Sequence, residues 1–185
     1  MAAGRAPNPV KARARPGPGG SRLPCPAIGG AAGRRVSTRP GKAGRGRGRP
    51  YDDVRPVLRR LRAEGVRAAI VSNTPWGSPG DLWREELARL GLAEEVDLAV
   101  FCTDVGWRKP AAAIFEYTLA RLDARPADCF FVGDNPRWDV AGPRAVGIEA
   151  VLLDRQGTGE DGETIRDLHG LWPRLWPGRE GGRNP

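Results

Sequence analysis

Short apolar runs alternate with amphipathic segments from Asp52 onward, and this alternation limits the chain to few folds. The runs are rich in Val, Ile, Leu and Phe, which is typical of strands buried on both faces. The segments between them repeat their apolar residues at helical spacing. This order predicts an α/β fold, with a Rossmann-like parallel sheet flanked by helices. The predicted strands are Val66–Val71, Val96–Phe101, Cys129–Val132 and Ile148–Leu153.

Three of the amphipathic segments carry the start and stop residues of helices. Asp53 occupies the N-cap position of the first, and Gly65 and Gly91 follow the first and second as stops. Pro110 suits the first position of the third helix, where its missing N–H is tolerated. The apolar faces are Val54, Val57, Leu58 and Leu61 in the first helix, Trp83, Leu87 and Leu90 in the second, and Ile114, Phe115, Leu119 and Leu122 in the third.

Polar residues follow two of the predicted strands at the points where these strands end. Ser72 and Asn73 come after the first strand, and Gly133-Asp134 ends the third, with Asp139 five residues beyond Asp134. Ligands of parallel sheets bind beyond the carboxyl ends of the strands. A hydroxyl and exposed N–H groups suit a phosphoryl group, and two carboxylates suit Mg²⁺. The ordinary alternatives are a loop opening, a turn aspartate and a helix N-cap.

Lys109 lies directly before Pro110, at the mouth of the third predicted helix. A helix N-terminus favours anions, and a lysine there adds a point charge for a phosphoryl oxygen. The alternative is a solvated surface lysine. Lys109 is the only lysine beyond residue 42 in an arginine-rich chain, which weakens that alternative.

In their order and spacing, these motifs resemble the second, third and fourth motifs of the haloacid dehalogenase (HAD) superfamily, over about residues 51–155. The resemblance implies a phosphatase-like hydrolase that uses Mg²⁺ to hydrolyse a small phosphorylated metabolite, and the free cysteines discussed below lead us to expect it in the cytoplasm. It implies Ser72 and Asn73 as substrate-binding residues, Lys109 as a catalytic residue, and Asp134 and Asp139 as metal ligands. Some members cleave carbon–halogen bonds without a metal, and the Asp134/Asp139 pair favours the phosphatases.

The first motif of that superfamily, a strand ending in Asp-x-Asp that carries the nucleophile, is not found. In the family this strand lies between the strand of Ser72 and the strand of Asp134. No Asp or Glu precedes Asp52, and Asp52 and Asp53 follow no apolar strand. We therefore expect an N-terminally incomplete, truncated domain whose sheet lacks its centre and which does not catalyse. The alternative is a degenerate, non-catalytic binding module.

Residues 1–50 differ in composition from the rest of the chain. They contain twelve Lys or Arg, no acidic residue and nineteen Gly or Pro, a composition typical of disorder. We expect a disordered basic segment over 1–50, a HAD-like core over 51–176 and a disordered tail over 177–185. Leu23–Val36 is the only candidate for the missing strand, and its prolines and glycines argue against that role.

The basic segment raises the question of a nucleic-acid partner. Lys and Arg bind phosphates with release of counterions, which could serve RNA. The segment has no aromatic residue to stack on bases and no regular Arg–Gly repeat. We favour translation of GC-rich DNA out of frame or ahead of the true start, so a nucleic-acid partner is not expected.

The three cysteines, Cys25, Cys102 and Cys129, follow no Cys-x-x-Cys spacing. Cys102 and Cys129 lie in or beside predicted strands, where free thiols pack as small apolar groups. We interpret the cysteines as thiols of a reducing compartment, and no run approaches the length of a membrane span.

Three tryptophans, Trp76, Trp107 and Trp138, lie in the three motif-bearing loops. They could line a pocket for an apolar or cyclic substrate group, or they could pack the loops against one another. His169 is the single histidine, and we interpret it as structural or surface-exposed.

Overall fold

A computed structural model describes residues 25–29, 49–157 and 164–177. Six parallel strands form one sheet in the order β3-β2-β1-β4-β5-β6. The strands are β1 (Cys25–Gly29), β2 (Ala69–Ser72), β3 (Leu98–Phe101), β4 (Cys129–Gly133), β5 (Glu149–Leu153) and β6 (Thr164–Ile165). The helices are α1 (Val54–Ala63), α2 (Gly80–Arg89), α3 (Cys102–Val105), α4 (Ala112–Leu122), α5 (Gly142–Arg144) and α6 (Trp172–Leu175). The predicted α/β architecture is confirmed, whereas α3, α6 and β6 carry no pattern long enough to predict.

The prediction that the sheet lacks its central strand is wrong. Cys25–Gly29 forms β1, which lies between β2 and β4 and pairs with both. Without β1, the facing sides of β2 and β4 would leave main-chain N–H and C=O groups unpaired inside the sheet, which is costly. The expectation of an irregular segment therefore fails for these five residues. The remaining residues before Arg49 lie outside the described part of the chain.

Pro26 argues against a central strand, and the register of β1 explains why it is tolerated. The pairing with β2 covers only Ala27 to Gly29, whereas the pairing with β4 covers Cys25 to Ile28. Pro26 thus precedes the part of β1 that has neighbours on both sides. Proline is accepted at the start of a strand, where its missing N–H interrupts little of the ladder. The proline and glycine of this segment therefore make a strand look less favourable in the sequence than it is in the sheet.

Apolar cores cover both faces of the sheet, as the continuous apolar strands predict. Alternate residues of a strand point to opposite faces, and in β4 Phe130 and Val132 join one core while Phe131 joins the other. The Phe131 ring meets the edge of Phe115 from α4, with the ring centroids 5.5 Å apart. The first core also receives the predicted apolar face of α1, which is fully buried: Val54, Val57, Leu58 and Leu61.

The predicted glycine stops of α1 and α2 are confirmed. Gly65 has φ +73°, a left-handed conformation that glycine adopts without steric cost. Its N–H donates to Arg62 O, and the N–H of Val66 donates to Leu61 O, which satisfies two carbonyls of the last helical turn. Gly91, with φ +63°, ends α2 in the same way.

The predicted start of the third helix is wrong by two residues. α4 begins at Ala112, so Lys109 and Pro110 lie in the loop before it, joined by a cis peptide bond. The carbonyl of Lys109 accepts a hydrogen bond from Asn73 Nδ2 at 3.1 Å. Because this carbonyl is bound to the neighbouring loop, it does not enter the helical ladder.

Two further findings concern the thiols and the membrane. Cys102 and Cys129 are buried cysteines that form no disulfide, as predicted. Among the described helices, none combines the length and the apolar character that crossing a bilayer requires.

Asp53 joins the start of α1 to the end of the described chain. It occupies the N-cap position, but its side chain makes no capping bond. Instead Oδ2 accepts from the N–H of Leu168 at 2.8 Å, and both carboxylate oxygens pair with Arg155 at 3.0 Å. Burial alone raises the pKa of Asp53, yet the hydrogen bonds from Arg155 and Leu168 and the charge of Arg155 outweigh burial and leave the pKa below its ordinary value.

We predict that Asp53→Asn lowers the free energy of unfolding by about 1.5–3 kcal/mol at neutral pH, because it removes charge-assisted hydrogen bonds. The folded-state pKa lies below the unfolded one, so the contribution is complete above about pH 5 and is lost as pH falls through the folded-state pKa. Urea unfolding of wild type and variant across pH 3–7 measures the difference. Asp52→Asn, at an exposed pair with Arg49, is the control and should change little. A pH-independent difference for Asp53→Asn would contradict the prediction.

Candidate active site

The candidate site lies at the carboxyl edge of the sheet, around β2, β1 and β4. Ser72 is the last residue of β2, and Asp134 directly follows β4. Both strands are parallel to β1 and flank it, so their carboxyl ends open on the same edge. This is the edge at which ligands bind in open parallel sheets.

Lys109 is buried at this edge, with 5% of its surface exposed. Its ammonium donates to Asp139 Oδ1 at 2.6 Å and to the carbonyl oxygen of Val71 in β2 at 2.8 Å. The alternative of a solvated surface lysine is therefore excluded. An ammonium has three N–H donors, and the third has no hydrogen-bond partner among the described residues. The Phe131 ring centroid lies 5.5 Å from Nζ.

Asp139 is the buried counter-ion of Lys109. It lies within a π-helical turn, Pro136–Ala141, and only 3% of its surface is exposed. While Oδ1 binds Lys109, Oδ2 accepts from the N–H of Asn135 at 3.1 Å. Gly133 makes this placement possible, since a Cβ on that residue would lie 2.4 Å from Asp139 Cβ.

Asp134 differs from Asp139 in its exposure to solvent. Asp134 is exposed, and within the described part of the chain its carboxylate accepts a hydrogen bond only from its own main-chain N–H. Partial desolvation, followed by the negative charge of Asp139, raises the pKa of Asp134 above its ordinary value. Its own main-chain N–H and the charge of Lys109 oppose this rise. The two carboxylates that follow β4 thus differ in role.

Ser72 and Asn73 also differ in what they contact. The half-buried Ser72 hydroxyl makes only a long contact, 3.4 Å, with the carbonyl of Asn73. The Asn73 amide is engaged by Lys109, whose main-chain N–H donates to Oδ1 at 2.8 Å and whose carbonyl accepts from Nδ2 at 3.1 Å. The predictions from the sequence do not include this contact, because nothing in the sequence relates two residues that lie 36 positions apart.

Thr74 is a buried polar residue of the site that the sequence motifs do not single out. It is 1% exposed, and its N–H donates to Cys102 Sγ at 3.2 Å. Its hydroxyl lies 3.4 Å from the same sulfur. This contact joins the loop after β2 to α3. A threonine in a Ser-Asn-Thr-Pro loop gives no signal that could distinguish it from a solvent-exposed loop residue.

The tryptophans of the site loops are open to solvent. Trp107 is 61% exposed and Trp138 is 41% exposed. Neither ring is fully buried between the loops. The side chain of Trp76 lies outside the described part of the structure. His169 is exposed, as predicted.

The sequence motifs predict Asp134 and Asp139 as ligands of Mg²⁺. Mg²⁺ typically takes one or two carboxylates together with substrate phosphate oxygens. Asp134 fits this requirement, since its carboxylate is free and exposed. Both oxygens of Asp139 already accept hydrogen bonds, one of them in a buried ion pair. Within the described ranges, no group of three or more His, Cys, Asp or Glu side chains surrounds a metal position.

Comparison with known proteins defines the class. The sequence profile of the haloacid dehalogenase-like hydrolases matches residues 36–147, which is more than half of the chain. The chain belongs to this family. The match includes α1 to α5 and all five candidate site residues, whereas β1 precedes it.

Individual relatives include phosphatases. The chain is 39% identical over 102 residues to a ribulose-1,5-bisphosphate 5-phosphatase of Halopiger xanaduensis, covering 55% of this chain and 41% of that protein. It is 36% identical over 118 residues to a phosphoserine phosphatase of Thermus thermophilus, covering 64% and 46%. Dehalogenases also occur among the relatives. The chain therefore spans less than half the length of these two phosphatases.

A solved structure gives the same result. The fold matches the crystal structure of a HAD phosphatase from Thermococcus onnurineus with a TM-score of 0.61 and 33% sequence identity. The match covers 68% of this chain and 58% of that one. The α/β sheet with its flanking helices is therefore the HAD core.

We predict that the Lys109–Asp139 pair behaves as one unit in stability. Lys109→Met and Asp139→Asn each leave one buried charge uncompensated and should each cost about 3–5 kcal/mol. The double variant contains no buried charge, so it should be more stable than the sum of the single changes predicts, by about 2 kcal/mol. Urea unfolding of all four proteins measures this coupling. Asp81→Ala, which removes an exposed pair with Arg84, is the control at about 0–1 kcal/mol. Additive single changes would contradict the prediction.

We also predict that Gly133→Ala disturbs the site from within β4. The new methyl group would overlap Asp139 and force either the strand or the ion pair to move, at a cost of about 3 kcal/mol. Gly106→Ala is the matched control: its φ is +79°, but no atom lies within 4 Å of the added carbon. It should cost only the conformational strain, about 1 kcal/mol. Equal losses of stability in the two variants would show that Asp139 does not require the glycine.

Proposed function

We propose that this chain is a phosphatase-type HAD domain that binds small phosphorylated metabolites with Mg²⁺ but does not hydrolyse them. One observation carries the proposal. Lys109 is held at the carboxyl edge by Asp139 and by Val71 of β2, with its third N–H unpaired in the described structure. A fixed cation with one free donor suits a phosphoryl oxygen.

The other residues of the site have complementary roles in this proposal. Asp134 would hold Mg²⁺, which supplies positive charge to the oxygens of a bound phosphate. Asp139 orients the ammonium of Lys109, as their buried ion pair supports. The Ser72 hydroxyl donates to the Asn73 carbonyl only over a long 3.4 Å, and it would turn its single O–H from that carbonyl to the ligand.

The absence of turnover follows from β1. Phosphoryl transfer through an enzyme-bound intermediate needs a nucleophile whose oxygen attacks phosphorus. β1 has the sequence Cys-Pro-Ala-Ile-Gly, and no Asp or Glu occurs before Asp52 in the chain. The central strand is thus present without the carboxylate that the chemistry of the family requires.

The names of the relatives support a phosphorylated ligand. They include phosphatases of ribulose 1,5-bisphosphate, phosphoserine and glyceraldehyde 3-phosphate, all small phosphate monoesters. Dehalogenation is the second chemistry among the relatives. The free carboxylate of Asp134, placed to hold a cation, favours the phosphate ligand over a haloacid.

We predict that the full chain hydrolyses p-nitrophenyl phosphate no faster than buffer containing Mg²⁺, because no phosphoenzyme can form. Inorganic phosphate with Mg²⁺ should nevertheless raise the melting temperature, since a ligand at 100 times its Kd adds about 2.7 kcal/mol of stability. Asp134→Ala should reduce this rise. Mg²⁺-dependent turnover that disappears in Asp134→Ala would overturn the non-catalytic assignment. A melting temperature that phosphate and Mg²⁺ leave unchanged would overturn the binding assignment.

A further inference from the structure

We infer that Asn73 is a positioning residue, which acts on the site through the main chain of Lys109 instead of binding the substrate. This inference goes beyond the proposed function and does not depend on it. It stands on a two-point contact. Asn73 Oδ1 accepts from Lys109 N at 2.8 Å, and Asn73 Nδ2 donates to Lys109 O at 3.1 Å.

The side-chain amide of Asn73 forms two hydrogen bonds with the main chain of Lys109, in the way that two adjacent β-strands pair. A side-chain amide offers both a donor and an acceptor, and here each is used on the same residue. Aspartate at this position would keep the acceptor but lose the donor, and alanine would lose both. The contact therefore requires a side-chain amide at position 73. A residue that merely begins a loop would have no such requirement.

Both the main chain and the side-chain ammonium of Lys109 are therefore bound to β2 or to the residues directly after it. Its main chain is held by Asn73, the second residue after Val71, and its ammonium is held by the Val71 carbonyl. Strand β2 thus determines the position of Lys109. On the β4 side, Asp139 Oδ1 accepts a hydrogen bond from Lys109 Nζ at 2.6 Å.

The loop that carries Lys109 needs such an anchor. Its residues Gly106, Trp107 and Arg108 are exposed, whereas Lys109 is buried. The Asn73 bonds connect the main chain of this loop to the residues that follow β2. When they are lost, local opening of the loop should expose Lys109 without global unfolding.

The test uses the full chain and the reactivity of its lysines towards reductive dimethylation, followed by peptide mass spectrometry. The chain has three lysines, Lys11, Lys42 and Lys109. The first two serve as references for reagent dose in the same sample. In Asn73→Ala, Lys109 should react about tenfold faster than in wild type, which corresponds to the loss of about 1.4 kcal/mol of local stability. Asn73→Asp, which keeps one of the two contacts, should give an intermediate rate.

The control variants separate positioning from general loss of stability. Ile165→Val and Ile165→Ala truncate a buried residue of β6. One should cost less and the other more free energy of unfolding than the Asn73 variants, so the pair provides controls of comparable stability. They should leave the Lys109 rate within about twofold of wild type. Equal acceleration in an Ile165 variant of matched stability would overturn the inference. An unchanged Lys109 rate in folded Asn73→Ala would overturn it too, and Asn73→Asp provides the same test if the alanine variant does not fold.

Discussion

The buried ion pair between Lys109 and Asp139 is the interaction on which the rest of the site depends. Two charges removed from water are stable together when further hydrogen bonds satisfy most of their remaining capacity. The carbonyl of Val71 and the N–H of Asn135 provide such bonds, and the third N–H of Lys109 has no partner among the described residues. The pair thereby joins the loop after β4 to strand β2 across the position of β1. Any displacement of either strand end would separate the charges in a poorly solvated environment.

The central strand separates the structural role of this fold from its chemistry. β1 completes the hydrogen bonding between β2 and β4, and any backbone that can pair on both sides would serve. The chemistry of the family also asks for a carboxylate at this strand, and the sequence contains none before Asp52. The sheet can therefore be completed by a strand that brings no carboxylate to its centre.

The carboxylates after β4 show how the environment assigns different roles to identical side chains. Asp139 is buried and paired, so it acts as a counter-ion. Asp134 is exposed and forms no ion pair with the described residues, and partial desolvation together with the charge of Asp139 raises its pKa. Spacing in the sequence predicts that both lie near one strand end, but burial and hydrogen bonding distinguish them.

The sequence by itself determined the alternation of strands and helices, the glycine stops of α1 and α2, and the position of Ser72 and Asp134 at strand ends. These features depend on local periodicity and turn geometry, which neighbouring residues encode. Only the tertiary structure decided that Cys25–Gly29 forms the central strand and that Asn73 binds Lys109. The physical reason is that these contacts join distant residues. The free energy of closing the sheet outweighs the weak strand preference of a short, proline-containing segment.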